Sequence, residues 1–421
     1  MPASSFPSYE TLPIGAAYEG APADYGASHI AKLSAGEASA TSDRGLTVFS
    51  PETFTEGGLL RVAKDRLAAG SVADPTPDAA TKGARAPEKA LPGVQIWYEV
   101  HGKGPQRIVF IMGLNNSAFG WLGQVEKYAR DPRFSVLVLD NRGYGNSETP
   151  TDMSKYSTSE MAKDVLEICQ HLGWIQERQL HIVGVSMGGM ISLEIAKQAP
   201  ERIASLSLLS TTSGQARGQK SLITGLPPLA AVKMITRLLG GKSLGLDSDE
   251  YRVHRVAQVL FPPQWLDQVD PRDPRKRTRR ETTYELFEWR FQFVRRQHPT
   301  GSLGQIRAAS THHISNSELA AIDRAVPAVL IVTGDWDNLV KPGNSKHLKR
   351  HMASAKLEVL AGRGHAIQLQ DPETLHRLLE ENWEKGWQSR GADQVGGADQ
   401  GGEDLPSSKL GTQEHWNEVY E

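Results

Sequence analysis

The sequence predicts an α/β domain, a mostly parallel sheet flanked by helices with a helical cap inserted into it. Three observations predict it. Apolar strand-like runs alternate with helical patterns from 93 to 212, a block from 213 to 324 carries helical patterns without strong strands, and the strand rhythm returns from 325.

Taken in order, GVQIWYEV (93–100) reads as the first strand. RIVFIM, ending at Gly113, reads as the second and is apolar after its first residue, as in a strand buried on both faces of a parallel sheet. FSVLVLD (134–140) is a strand, SEMAKDVLEICQHLGW a helix, QLHIVGV a strand, MGGMISLEIAKQAP a helix ended by its proline, and IASLSLLST a strand. Such alternation implies right-handed crossovers, with helices on both faces. The cap, 213–324, includes LPPLAAVKMITRLLGG, DEYRVHRVAQVLF and ETTYELFEWRFQFVRRQ. AVPAVLIVTGD resumes the sheet, followed by a helix near NSKHLKRHM, the strand KLEVLAG and the helix DPETLHRLLEENWEKGW. The domain core is thereby assigned to 88–212 and 325–390. Residues 1–87, rich in Ala, Ser, Gly, Pro and Thr, read as a weakly ordered extension with one short helix in LLRVAKDRLAAG, and the glycine-rich, acidic 391–421 as a flexible tail.

Composition narrows the function classes. A chain of 421 residues, 39 % hydrophobic and 23 % charged, can bury a sizeable core. Its 47 lysines and arginines against 49 acidic residues, a net charge of −2, give no global pull toward nucleic acid or an anionic membrane. The single cysteine, Cys169, lies in a helical pattern and reads as a small buried hydrophobe, with no partner for an internal disulfide. No uncharged apolar window reaches the roughly 18 residues of a membrane span. The first residues, broken by proline, glycine, Glu10, Glu19 and Asp24 and without arginine before Arg44, do not fit a secretory or mitochondrial signal, so the cytosol is the expected compartment. RDPRKRTRR (272–280), six basic residues around one acid, reads as a solvated cap surface, with a nuclear-import or anionic-partner patch as the alternative. His312 and His313 are adjacent and point apart on a helix, so no metal is expected there, and no cofactor loop appears elsewhere.

The chemistry concentrates at strand ends. HIVGVSMGGM carries Gly184, Ser186 and Gly188 in GxSxG spacing between an apolar strand and a helix, where a sharp turn thrusts a serine Oγ outward. IVFIMGLNNS puts Gly113 and Leu114 just after a strand, so the backbone N–H groups of Leu114 and of Met187 can together stabilise the negative charge that develops on an acyl oxygen. In VLIVTGDWDNLVKP, Asp337 is chosen as the acid over Asp335, which can instead cap the turn. His365, in the glycine-flanked loop after KLEVLAG, can take the serine proton while Asp337 fixes its tautomer. Asn115, Asn116 and Trp121 follow the second strand and are candidates to meet substrate, with turn formation and packing as the competing account.

In this order and context, Ser186, Asp337 and His365 resemble the α/β-hydrolase superfamily over about 88–212 and 325–388. DNRGYGNSETP (140–150) resembles the superfamily's loop after the fourth strand, and GVSMGGM, GDWDNLV and GRGHAI resemble its enol-lactonases and small esterases. The resemblance implies the α/β-hydrolase fold and the roles of nucleophile, acid and base for those three residues. One departure is Met112-Gly113, where many relatives have His-Gly; the backbone donor does not depend on that side chain. A serine nucleophile argues against the aspartate-dependent dehalogenases and epoxide hydrolases of the same fold.

The expectation is therefore a serine hydrolase that needs no cofactor and acts on a small or medium, largely apolar ester, lactone or thioester through an acyl-enzyme. Cap residues such as Leu222, Met234, Leu238, Phe261, Phe287 and Trp289 would line the pocket or pack the cap. The rivals are an acyltransferase or small-peptide hydrolase on the same fold, and a ligand-binding sensor with a slow triad. A monomer or homodimer is expected.

Overall fold

In a computed structural model, residues 47–68, 92–214, 249–291, 294 and 298–395 are described. Among them, eight strands join one sheet in the order β1-β2-β4-β3-β5-β6-β7-β8. They are β1 (Phe54–Val62), β2 (Val94–His101), β3 (Gln106–Ile111), β4 (Phe134–Leu139), β5 (Leu180–Val185), β6 (Ile203–Leu209), β7 (Ala328–Gly334) and β8 (Lys356–Leu360). Only β2 runs antiparallel to its neighbours, β1 and β4; every pairing from β4 to β8 is parallel.

Side-chain alternation sends the central strands' residues to opposite faces. Ile108 and Phe110 enter one hydrophobic cluster and Val109 and Ile111 the other. The first cluster is closed by α1 (Leu122–Ala129) and α11 (Pro372–Val395), through Val125, Tyr128, Leu375, Leu379 and Trp383. The second is closed by α2 (Thr158–His171) and α3 (Met187–Gln198), through Met161, Val165, Ile191 and Leu193. Local signals start these helices where they do: Ser157 caps α2 by accepting from the Glu160 N–H at 3.1 Å. After β6 come α4 (Asp249–Leu260), α5 (Pro263–Leu266), α6 (Arg279–Phe291), α7 (Pro299–Thr311) and α8 (Asn316–Ala325); α9 (Gly343–His351) and α10 (Ile367–Gln370) follow β7 and β8.

Three expectations need correction. The segment 54–62 is not part of a weakly ordered extension, and LLRVAKDRLAAG does not begin as a helix. Phe54–Val62 pairs with β2 from Phe54↔His101 to Val62↔Val94, and Ala63, at φ 58°, ends the strand. A buried polar cluster holds the chain just before it, where Glu99 Oε2 accepts from Thr47 Oγ1 and contacts His101 Nε2, each at 3.0 Å. Second, α8 belongs to the core and not to the cap, because Leu319 and Ile322 pack into the α2–α3 cluster. Third, α11 runs to Val395, past the expected end of the core at 390.

Leu222, Met234 and Leu238 lie outside the described residues. The basic run 272–280 is laced into the cap: Arg272 pairs with Asp270, Arg275 with Glu285, Arg277 with Asp273 and Arg280 with Asp267. Among the described residues no helix is long and apolar enough to cross a membrane, and no cluster of three or more His, Cys, Asp or Glu is spaced to hold a metal ion.

Two predictions arise from buried titratable groups. Burial pushes the Cys169 thiol up to about 12 and leaves it no exposure, so native protein is expected to resist thiol reagents at neutral pH and to react stoichiometrically once unfolded. Burial also drives the His181 and His312 imidazoles down to about 3 and that of His376 to about 4. These rings are neutral when folded and charge on unfolding, so unfolding takes up protons below the ordinary histidine value. Their contribution is complete above about pH 6.5 and is lost as the pH falls toward 3 to 4. Urea midpoints are expected to fall between about pH 7.5 and 5, and a pH-independent midpoint there would contradict this.

Candidate active site

All three polar candidates stand at the carboxyl edge of the parallel sheet, where α/β folds present ligands. Ser186 immediately follows β5 and is the hinge into α3, with φ 57° and ψ −121°. A residue with a side chain is rare there, and it is held by the Ser186 N–H bonded to Leu209 O at 2.9 Å and by the Thr211 hydroxyl donating to Ser186 O at 2.7 Å. Thr211 was not singled out from the sequence; its only signal is its place just after β6. The glycine spacing around the serine is a matter of room. A Cβ on Gly188 would run into the carbonyl of Ile111, and one on Gly113 would lie 2.9 Å from Ser186 Cβ.

That second distance places the turn after β3 against the serine. Among the described residues, the N–H groups of Leu114 and Met187 have no acceptor, and the latter is the first of α3, at the positive end of the helix dipole. The Met112 side chain packs beneath Gly120, and its carbonyl accepts from Asn141 Nδ2 at 2.9 Å. The departure from His-Gly thus fills the core and leaves the donor free. Asn115 takes a left-handed φ of 52°, and its N–H is bound to Gln305 Oε1 at 2.8 Å. Trp121, for which the sequence leaves substrate contact and packing as competing accounts, lies in the packed interior. It is wholly buried and stacks on Phe110 at 4.7 Å, because β3 turns Phe110 to the α1–α11 side.

Asp337 and His365 are in contact. His365 Nδ1 lies 2.8 Å from Asp337 Oδ2, and both residues are buried. The other Asp337 oxygen accepts the Leu339 and Val340 N–H groups, each at 2.9 Å, which fixes the carboxylate. Asp335 is exposed and does not cap its own turn, whose Leu339 and Val340 N–H groups go to Asp337; it accepts from the Gly362 N–H, in the loop after β8, at 2.7 Å. The loop that carries His365 is clamped by Gln370, which accepts from Gly364 N–H at 2.7 Å and donates to Gly362 O at 2.9 Å. The His365 N–H itself donates to Leu260 O at 2.8 Å, at the end of α4, so the cap is joined to this loop. Ser186 Oγ and His365 Nε2 are not hydrogen-bonded to each other.

Apolar cap residues gather beside the same loop. Phe261, Trp265, Tyr284 and Phe287 form a cluster that includes Ala366, the neighbour of His365. Trp289 is buried in the α1–α11 cluster, away from this group.

Residues 106–372 match the family described as alpha/beta hydrolase fold. Among curated proteins, the chain is 28 % identical over 286 residues to "Putative carbamate hydrolase RutD" of Stutzerimonas stutzeri, covering 67 % of this chain and 94 % of that protein. Among solved structures, a thermophilic esterase from Thermogutta terrifontis superposes with a TM-score of 0.55 at 18 % identity, covering 79 % of this chain and 99 % of that one. The enol-lactonase from Burkholderia xenovorans LB400 gives 0.53 at 18 % identity, over 68 % and 96 %.

Proposed function

The chain belongs to the alpha/beta hydrolase fold family, and from that premise we propose that it is a serine hydrolase of carboxylic esters or lactones, with Ser186 as nucleophile, His365 as base and Asp337 as the acid that orients it. The observation that carries this reading is the buried His365–Asp337 hydrogen bond on the same sheet edge as the strained serine hinge. With Nδ1 committed to Asp337, the ring presents Nε2 as the acceptor for the serine proton.

His365 takes the proton from Ser186 Oγ as the oxygen adds to the acyl carbonyl. The tetrahedral oxyanion is held by the Leu114 and Met187 N–H groups. Collapse expels the alcohol, which leaves with the proton from His365, and water then repeats the sequence on the acyl-enzyme. The apolar cluster of Phe261, Trp265 and Phe287 next to Ala366 supports an aliphatic or aromatic acyl group over a charged one. A carbamate offers the same electrophilic carbon, and the likeness to the Stutzerimonas protein makes it the second class to assay.

The test is a series of p-nitrophenyl esters of increasing acyl length, alongside an aryl carbamate. Turnover that rises with acyl length and then falls sizes the pocket and supports the ester reading. Turnover of the carbamate alone would move the assignment to the second class, and no turnover of any carbonyl substrate would overturn both.

A further inference from the structure

We infer that Gln305, on cap helix α7, is a positioning residue for the oxyanion donor in the turn after β3, so that a helix inserted far along the chain helps set the geometry of the site. The inference rests on the assignment of the Leu114 N–H as a donor. Gln305 is wholly buried, and its amide has one consistent orientation. Oε1 accepts from the Asn115 N–H at 2.8 Å, and Nε2 donates to the Arg142 carbonyl at 3.0 Å. Both partners permit only that assignment, since one is a donor and the other an acceptor. The side chain thus ties the turn after β3 to the loop after β4, and both to a helix inserted 190 residues later than Asn115.

The helix is built to bring Gln305 there. The buried residues of α7 are Gly301, Ser302, Gly304, Gln305 and Ala308, one long polar side chain among small ones. A Cβ on Gly304 would lie 2.5 Å from the Tyr156 ring, and one on Gly301 would strike the Gly143 carbonyl, so the helix backbone rides directly on the loop after β4. At that separation a glutamine reaches both loops, and an unpaired amide would be left buried if either bond were missing.

What the bridge fixes is the peptide next to the donor. Asn115 is held at φ 52°, a conformation most residues with side chains avoid, and its N–H is the group that Gln305 grips. The Leu114 N–H, one peptide earlier in the same turn, is the free one. A turn released from Gln305 can relax, and a donor displaced by about 1 Å from the developing oxyanion costs on the order of a hundredfold in rate.

The test compares native protein with Gln305→Met, Gln305→Glu and, as a control on the same helix, Arg307→Met, which removes the bond from Arg307 Nη1 to Tyr156 O at 2.7 Å and leaves Gln305 in place. Gln305→Met is expected to lower kcat for ester hydrolysis by roughly ten- to a hundredfold with KM nearly unchanged, because the lost interaction acts on the transition state. Gln305→Glu, its carboxyl kept protonated by burial, makes both bonds again and is expected within about threefold of native. Arg307→Met is expected to keep native kcat. Equal kcat in native and Gln305→Met, or equal losses in Gln305→Met and Arg307→Met, would overturn the inference. Should Gln305→Met not fold, amide hydrogen exchange in the native chain reads the tether: Asn115 is expected to exchange slowly and Leu114 fast, and a fast Asn115 would overturn it. A native chain that turns over no ester overturns the serine-hydrolase reading and this inference with it, whereas turnover indifferent to Gln305 overturns this inference alone.

Discussion

Replacing Ser186 with alanine is expected to lower kcat for p-nitrophenyl ester hydrolysis by about 10⁴- to 10⁶-fold, with the thermal midpoint close to native. The size follows from the proposed role, since alanine removes the atom that forms the acyl-enzyme and leaves only the backbone donors and the pocket. The fold should not suffer. Alanine and serine have the same Cβ, so the hinge at φ 57° is no worse for the substitution. Its other supports, the bonds to Leu209 O and from Thr211 Oγ1, use the backbone of residue 186. A variant that keeps more than about a tenth of native kcat would place the nucleophile elsewhere.

Asp164→Ala is expected to be the most destabilising single change proposed here, by about 3–5 kcal/mol. Arg142 and Asp164 are both buried; Nε donates to Oδ2 at 2.6 Å and Nη2 to Oδ1 at 2.5 Å, with the remaining guanidinium nitrogen on Lys155 O at 3.0 Å. A forked pair of this kind adds little over an apolar replacement of both partners. Removing one partner is different, because a guanidinium is left in the interior without its carboxylate. Arg66, which also reaches Asp164, keeps Glu160 and Glu167 and does not share that fate. Urea unfolding should show the midpoint lowered with an unchanged slope, and a loss under about 1 kcal/mol would mean that water reaches Arg142.

The carboxyl edge was legible in the sequence because its signals are local. GVSMGGM sits between an apolar strand and a helix, and Asp337 and His365 each follow a run of strand formers by a few residues. Motif spacing and strand ends coincide there, and the structure has the same strands with ends shifted by at most three residues. What was missed depends on partners distant in sequence. FTEGGLLRV has two glycines and only two buried positions, and as an edge strand it shows no period-two apolar pattern. Its pairing with β2, through eight of its nine residues, decides its state. Trp121 could line a site or pack a core on sequence grounds, and the facing of Phe110 settles it. α8 falls inside the block assigned to the cap, and whether it caps or supports the sheet depends on where Leu319 and Ile322 point. Gln305 carried no motif at all, and its one mark is being the large polar residue on an otherwise small face of α7.

The most direct measurement is mass spectrometry of the native chain after reaction with a fluorophosphonate, followed by peptide mapping. A single adduct on Ser186 is expected, formed far more slowly in His365→Ala and absent from Ser186→Ala. A folded native chain that acquires no adduct, or acquires it on another residue, would contradict it.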